Sequence, residues 1–317
     1  MQERIIQFLK ENDGYVSGEE ISQQLNMSRQ SLWKYMQELR AQGYDIAAVP
    51  HLGYQLLSSP DKLLAHEIQF GLKAKFMGQK IHTFETLGST MDEAFRLGME
   101  GAPEGTLVCA ESQTKGRGRL GRVWVSPKGK GIYCSLILRP QLPPTQMSQM
   151  TLMTAVALAE AVKKVTGIQA AIKWPNDLLI ENRKLAGILT ELRAEVDRVQ
   201  FVIVGIGLNI NATHSQLLDS ATSLKIEAEH PFNRVQVLQE ILISLEIWYN
   251  KILQGKFEEV LAYSRKYSAT LKKRVRVQGT GGQVEGQAMA IDDDGALLIR
   301  QDDGRVIKTT AGDVTTV

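Results

Sequence analysis

The stretch from Glu111 to Gly131 reads ESQTKGRGRLGRVWVSPKGKG. Its 21 residues hold six cations, Lys115, Arg117, Arg119, Arg122, Lys128 and Lys130, against one acid, Glu111. Glycines at 116, 118, 121, 129 and 131 separate the charges. Glycine raises the entropy cost of a regular element, and neighbouring cations repel. The segment is therefore expected to be a mobile loop that becomes ordered around something anionic. Arginine at the three most closely spaced positions suits forked hydrogen bonds to phosphate or carboxylate oxygens, and glycine frees backbone amides to cradle the same anion. Read alone, the loop is equally compatible with a basic surface that touches nucleic acid or only solvent.

Further residues able to do chemistry follow. IKWPND sets Lys173, Asn176 and Asp177 around a proline-fixed bend, and Asp177 could equally be a plain turn acid. Asn182 marks the turn of a hairpin joining DLLI to KLAGILTEL. Lys184 opens the return strand with the small Ala186 and Gly187 behind it, where something must approach the backbone closely; a solvated hairpin lysine is the plainer use. FVIVGIGLNI is a buried strand carrying Gly205, Gly207 and then Asn209. It lacks the following helix and third glycine of a dinucleotide fingerprint, which excludes that reading. Ser89 and Thr90 stand between a strand and a helix, where hydroxyls either cap the helix or face a ligand. Trp124 could belong to the core.

The elements that must position these groups are legible. TLVCA feeds the cationic loop and GIYCSLIL leaves it, so the loop is held between two buried strands. An apolar helix is expected over 151–165, an amphipathic one over 235–253 and a shorter one to about 268. In the first 60 residues, Ile5, Phe8 and Leu9 recur at helical spacing, Ser17 opens a second helix in capping-box form, and Ser28 caps a third that runs to about Gly43. That third helix sets Leu32, Tyr35, Met36 and Leu39 on one face and Gln30, Lys34 and Gln37 on the other, with Arg29 and Trp33 on the flank. A two-stranded ribbon turning near 51–53 completes the layout of a winged helix-turn-helix, whose Gln and Arg side chains suit base edges and whose Lys34 suits a phosphate. A small helical protein-interaction module has the same pattern. Residues 1–60 hold five Lys/Arg against seven Asp/Glu, a net of −2, so DNA affinity there would need local charge and dimerisation. From residue 269 short alternating strands with glycine-rich or Asp-Gly turns read as a small β-barrel, and DDDG is a hairpin turn too compressed for a calcium loop.

A chain of 317 residues is long for one core, and two or three domains are expected. Hydrophobic residues make up 43% and the formal charge is only +2, so any case for nucleic acid is local. Cys109 and Cys134 sit in apolar runs without metal-ligand spacing, as small buried hydrophobes of a reducing compartment. The five histidines, 51, 66, 82, 214 and 230, are scattered and suggest no metal. With no signal-peptide pattern and no apolar run of membrane-spanning length, a cytoplasmic protein is expected.

GRGRLGRVW, KWPND, RKLAGIL and GIGLN, in this order and behind a helix-turn-helix, resemble a biotin protein ligase of the bifunctional kind that is also the biotin operon repressor. The resemblance covers essentially the whole chain. It implies an α/β multidomain protein: a winged helix-turn-helix over 1–60, a mixed α/β ligase domain with a class II synthetase-like sheet over 61–268, and an SH3-like barrel over 269–317. It also implies the reaction. Biotin is activated with ATP to biotinyl-5′-AMP, Mg²⁺ is expected to share the charge neutralisation, and biotin passes to a lysine of biotin carboxyl carrier protein of acetyl-CoA carboxylase. By the same resemblance Ser89, Thr90, Met91, Gln113, Arg117, Gly118, Arg119 and Lys184 would bind biotin. Arg122, Trp124, Lys173, Asn176, Gly205, Gly207 and Asn209 would serve the nucleotide. Arg119, Lys184 and Asp177 would carry catalysis, Asp177 orienting the carrier lysine. Arg29, Gln30, Ser31, Lys34 and Gln37 would meet operator DNA, with biotinyl-AMP as corepressor of a ligand-promoted homodimer. Met91 stands where the family commonly has Asn. Two other readings stay open: a repressor whose former ligase domain only senses a ligand, and a lipoate ligase.

Overall fold

The computed structural model describes residues 1–195, 199–279 and 282–317, which form two compact units, Met1–Lys62 and Leu63–Val317. In the first, α1 (Gln2–Glu11), α2 (Gly18–Gln24) and α3 (Arg29–Ala41) precede a ribbon of β1 (Asp45–Val49) and β2 (Gly53–Ser58). Ser17 and Ser28 cap α2 and α3 as their sequence position requires, accepting from Glu20 N and Ser31 N, each at 3.1 Å. The turn between them carries Asn26 at φ 52°, a left-handed conformation that asparagine tolerates. Ile5, Ile6, Leu9, Ile21, Leu32, Met36 and Leu39 form the core, and the ribbon closes on it through paired Val16–Tyr54 backbone bonds of 2.8 Å. Gly53 cannot be replaced there: a Cβ would lie 2.0 Å from the Val16 carbonyl oxygen.

The second unit begins with α4 (Ala65–Gln69), β3 (Ile81–Phe84), α5 (Thr90–Met99), β4 (Leu107–Ala110) and β5 (Gly131–Leu138). It continues with α6 (Ser148–Thr166), β6 (Ala171–Lys173), β7 (Asp177–Ile180), β8 (Arg183–Ala194) and β9 (Val199–Asn209). Then come α7 (Leu224–Ala228), α8 (Arg234–Leu253) and α9 (Phe257–Lys266). Strands β3 to β9 form one mixed sheet in the order β3-β4-β5-β9-β8-β7-β6, parallel only at β3–β4. The long apolar α6 and α8 pack in the main core with one face of the sheet, and α5 packs against β5 and β9 on a second core holding Met91, Ala94, Ile137, Phe201 and Ile203. Glu181 and Asn182 take positive φ, 47° and 65°, in the two-residue turn from β7 to β8. Helix α6 is longer than its pattern indicates and stops at Gly167, φ 74°.

The C-terminal strands β10 (Arg274–Gly279), β11 (Gly282–Ile291), β12 (Leu297–Arg300), β13 (Val306–Thr309) and β14 (Asp313–Thr316) form a five-stranded antiparallel sheet, ordered β13-β12-β11-β10-β14. Part of the glycine-rich turn expected between its first two strands lies outside the described residues. Its Val275, Val277, Ile291, Leu297 and Val314 belong to the same apolar core as α6 and α8. Trp174 Nε1 donates to the Gly295 carbonyl at 2.9 Å across this junction. At the DDDG turn the Asp292 carboxylate accepts from Asp294 N and Ala296 N, as a hairpin acid does.

The cationic loop folds on itself: Gly118 N bonds to Arg122 O at 2.7 Å, Trp124 N to Gly116 O at 2.9 Å, and Leu120 takes φ 55° between them. Its ends are tied together as well. Arg234, 1% exposed, reaches Glu111 Oε2 at 2.8 Å and the Gly131 carbonyl at 3.2 Å, while Glu111 Oε1 accepts from Leu63 N at 2.7 Å. Removing one partner leaves a buried charge unpaired. Arg234→Met and Glu111→Gln are each expected to lose about 3–5 kcal/mol of unfolding free energy. The double substitution should recover part of it; urea-denaturation midpoints of the four proteins check this, and additive losses would refute the pairing.

Candidate active site

Three glycines create the site. Gly205 and Gly207 are two apart on β9 and so share a face of the sheet, and Gly187 on β8 sits opposite Gly207. The missing side chains leave a shallow bed on the sheet. A Cβ on Gly205 would meet Met91 Sδ at 2.4 Å, and one on Gly207 would meet Trp124 Cε2 at 2.3 Å. The bed is therefore lined by this chain's own Met91 and indole ring. Met91, 3% exposed, is a core residue in the N-terminal turn of α5, and an apolar side chain is what that place asks for.

A cavity of about 250 Å³ opens over this bed. It is lined by Ser89, Thr90, Met91, Gln113, Arg117, Gly118, Arg119, Arg122, Trp124, Asn176, Asp177, Lys184, Gly205, Gly207 and Asn209. Of the small-molecule site residues named from the sequence, Lys173 alone lies outside this lining; it faces Asp177 across the β6–β7 register.

At one end the polar groups form a relay. Thr90 N and Thr90 Oγ1 reach Gln113 Oε1 at 2.8 and 3.2 Å, Ser135 Oγ donates to Thr90 Oγ1 at 2.9 Å, and Gln113 Nε2 donates to Ser126 Oγ at 3.0 Å. Ser89 caps α5 through Met91 N at 3.3 Å, so the capping use is real, and the residue also faces the cavity. Sequence reasoning misses Ser126 and Ser135: single serines in a glycine-rich loop and a buried strand carry no signal until the relay is seen.

At the other end stand the cations. Arg117 Nη2 lies 3.0 Å from both Asp92 and Glu191. Arg119 Nη1 donates to Asn176 Oδ1 at 3.0 Å and to the Gly312 carbonyl at 3.1 Å. Burial pushes the Arg119 guanidinium below its ordinary value despite Asp177 and Asp313 nearby, whereas hydrogen bonding to Asp313 raises that of Arg122. Arg122 makes a two-pronged pair with the Asp313 carboxylate. Gly312 and Asp313 come from the far C-terminus, a contribution that no local pattern could announce. Lys184 Nζ lies 2.8 Å from Asp177 Oδ1 and 5.5 Å from the centre of the Trp124 ring. The pair is close but poorly aligned, so Asp177 Oδ1, like Trp124 Nε1, is buried without a hydrogen-bond partner among the described residues. Asn176 is fixed by bonds with Ile188, donating Nδ2 to its carbonyl at 3.0 Å. Asn209, 3% exposed, donates Nδ2 to Thr222 O at 2.9 Å and so anchors the segment 217–222, which also pairs with Lys184 and closes one wall.

The arrangement combines a hydrogen-bonding relay fit for a small polar ring, a flat apolar bed, and three arginines with a lysine fit for a polyanion. In the first unit Arg29, Gln30, Ser31, Lys34 and Gln37 are all exposed along α3, with Arg29 2.7 Å from Glu19. Arg40 is instead structural, donating twice to the Ile46 carbonyl.

Residues 83–209 match the biotin/lipoate A/B protein ligase family, 1–55 an HTH domain, and 270–315 the biotin protein ligase C-terminal domain. The bifunctional ligase/repressor BirA of Bacillus subtilis is 42% identical over 94% of this chain and 93% of its own length. The biotin–[acetyl-CoA-carboxylase] ligase of Mycobacterium tuberculosis is 34% identical over 72% of this chain and 85% of its own. Among solved structures, biotin protein ligase from Aquifex aeolicus in complex with biotin and ATP superposes with TM-score 0.66 at 27% identity, covering 75% of this chain and 100% of that one. A chain that is 42% identical to a ligase/repressor over 94% of its length, and carries both the helix-turn-helix and the arginine-lined cavity, belongs to the biotin protein ligase family in its bifunctional form.

Proposed function

We infer that this protein joins biotin and ATP to give biotinyl-5′-AMP, transfers biotin to a lysine of biotin carboxyl carrier protein, and represses transcription when loaded with the adenylate. The observation that carries the reading is the cavity itself, which Arg119, Arg122 and Lys184 line together with the Thr90–Gln113 relay. A carboxylate is a poor acyl donor, so it must first be made into a mixed anhydride. Its attack on the α-phosphate brings an anion onto a polyanion, and fixed cations stabilise the charge moving onto pyrophosphate.

The relay supports a ureido site, since Thr90, Gln113 and Ser89 offer donors and acceptors to a ring bearing one C=O and two N–H groups. Lys184 is suited to the biotin carboxyl oxygen and then to the acyl phosphate. Trp124, Gly205, Gly207 and Asn209 suit the base, and Arg117, Gly118, Asn176 and the more distant Lys173 the surrounding shell. Mg²⁺ is expected on the nucleotide phosphates, and Asp177 in the cavity wall is a carboxylate that would stand beside it. When bound, Mg²⁺ would add to the neutralisation of phosphate charge.

The carrier lysine must lose its proton to attack, and Asp177 at the cavity wall is placed to orient and receive it. We further propose residues 1–60 as the operator-binding domain, 61–268 as the ligase domain and 269–317 as the C-terminal domain. The adenylate then favours a homodimer able to span two half-sites, in the cytoplasm where carrier and operator reside. No described helix is long and apolar enough to cross a membrane.

Biotin-dependent exchange of labelled pyrophosphate into ATP tests the first half-reaction. Exchange is expected in the parent and a fall of about 10²–10³-fold in Arg119→Ala and in Lys184→Ala. Exchange supported by lipoate and not by biotin would move the reading to lipoate ligation, and none with either, in folded protein, to a sensor-only repressor. For the second half, Asp177→Asn given preformed biotinyl-AMP should transfer to the carrier about 10²-fold more slowly, with the deficit shrinking as pH rises and the carrier lysine loses its proton unaided. A pH-independent deficit would assign Asp177 to holding Lys184 alone. Sedimentation with and without biotin plus ATP should show the dimer gaining with ligand; unchanged dimerisation and unchanged operator affinity would end the corepressor idea.

A further inference from the structure

On α3 the face turned away from the core is polar except at one place. Trp33 is 60% exposed, while Leu32 and Met36 on either side of it are 1% and 0% exposed. The other large exposed hydrophobics of the first unit, Met1, Tyr15, Val49, Leu52 and Leu57, lie off this helix. Single exposed apolar side chains are ordinary, but an indole carries one of the largest apolar surfaces a side chain can hold to water. At helical spacing Trp33 neighbours Arg29 and Gln30 on one side and Gln37 on the other, all exposed, with Lys34 beside it. The ring thus stands within the row of side chains suited to phosphates and base edges. The electrostatics leave a gap that such a ring could fill: residues 1–60 carry a net charge of −2, so counterion release can supply only part of the binding free energy. An uncharged contact must supply more of it.

We propose that Trp33 is a specificity-determining residue of the DNA interface, lying in the major groove with its indole against a thymine methyl group. The inference rests on the DNA-binding reading above and adds an apolar contact to its polar set. A thymine C5-methyl is the apolar feature of the major groove, and it distinguishes T from C, so the contact would read sequence as well as add affinity. Arg29 and Lys34 would hold the helix in register from the phosphates while Trp33 reads.

The experiment uses the full chain with biotin and ATP present, and a duplex selected by that loaded protein from a random pool. Each thymine of the selected site is then replaced singly by deoxyuridine, which removes only the methyl. For the parent, one thymine per half-site should cost about fourfold in affinity, the worth of one buried methyl-sized group. Trp33→Ala should weaken binding by roughly tenfold or more, with the slope of log K against log salt unchanged because every phosphate partner remains in place. It should also become indifferent to uracil at that position, while Trp33→Phe keeps part of the sensitivity. Pyrophosphate exchange, and dimerisation measured without DNA, should match the parent, as expected of an exposed side chain. Uracil sensitivity that survives in Trp33→Ala would overturn the proposal, as would an altered salt slope. A loss explained by weaker dimerisation would overturn it too, and assign the ring to contact between copies of this chain. If the loaded parent selects no duplex at all, the DNA-binding reading itself falls; selection with Trp33→Ala indistinguishable from the parent overturns this proposal alone.

Discussion

The buried pair between Glu111 and Arg234 is the constraint on which the site hangs. The cationic loop has few apolar side chains of its own to bury and an abundance of glycine, so nothing within it could fix where it starts and ends. Arg234, from a helix more than 100 residues later in the sequence, grips the acid that opens the loop and the carbonyl of Gly131 that closes it. Two full charges out of water are tolerated because each is bonded further: Glu111 also accepts from Leu63 N. Gly129 N adds a backbone bond of 3.0 Å back to Glu111. The loop is thus a closed lobe whose base is tied at both ends, with Arg117, Arg119 and Arg122 on its tip.

The sheet below supplies what the loop cannot, a surface with no side chains on it. Gly187, Gly205 and Gly207 remove three Cβ atoms from neighbouring positions of β8 and β9, and flanking strands keep the backbone fully bonded there. An apolar ring can lie directly on peptide groups at such a place. The ring on this bed is Trp124, whose Nε1 is buried without a hydrogen-bond partner among the described residues.

How much of this could be read from the sequence differs by the kind of information each feature needs. Capped helices, the Glu181–Asn182 turn and the buried strands were legible because capping, turn chemistry and period-2 patterning are local. The chemistry of the cavity was legible too, because the arginines, Lys184, Asp177 and the glycines lie in four short, dense segments. What was not legible is whatever one segment does to another. Nothing near Arg122 points to Asp313, and nothing near Glu111 points to Arg234. The composition of the loop shows its charge and its glycines, but not the anchors at 234 and 312–313 that hold it. Met91 reads as an oddity against a polar family pattern, yet as an ordinary core residue once Gly205 is seen beneath it.

The partners of the three arginines explain how a closed lobe can still yield to a ligand. Arg117 is held by two acids and Arg122 by one, yet their side chains remain 40% and 64% exposed. Pairs so exposed contribute only about 0–1 kcal/mol each, since water and salt screen them. They are strong enough to keep the guanidinium groups aimed and weak enough to be exchanged for phosphate oxygens at little cost. Arg119 is different: more deeply set, its nearest partners are a neutral amide and a carbonyl, which leave its charge uncompensated by direct contact. Burial already disfavours that cation, so an arriving anion gains most there. The lobe therefore has graded anchors. The two outer arginines can let go of their carboxylates, while the inner one stays fixed to Asn176 and to the C-terminal sheet and gives the polyanion its fixed point of attachment.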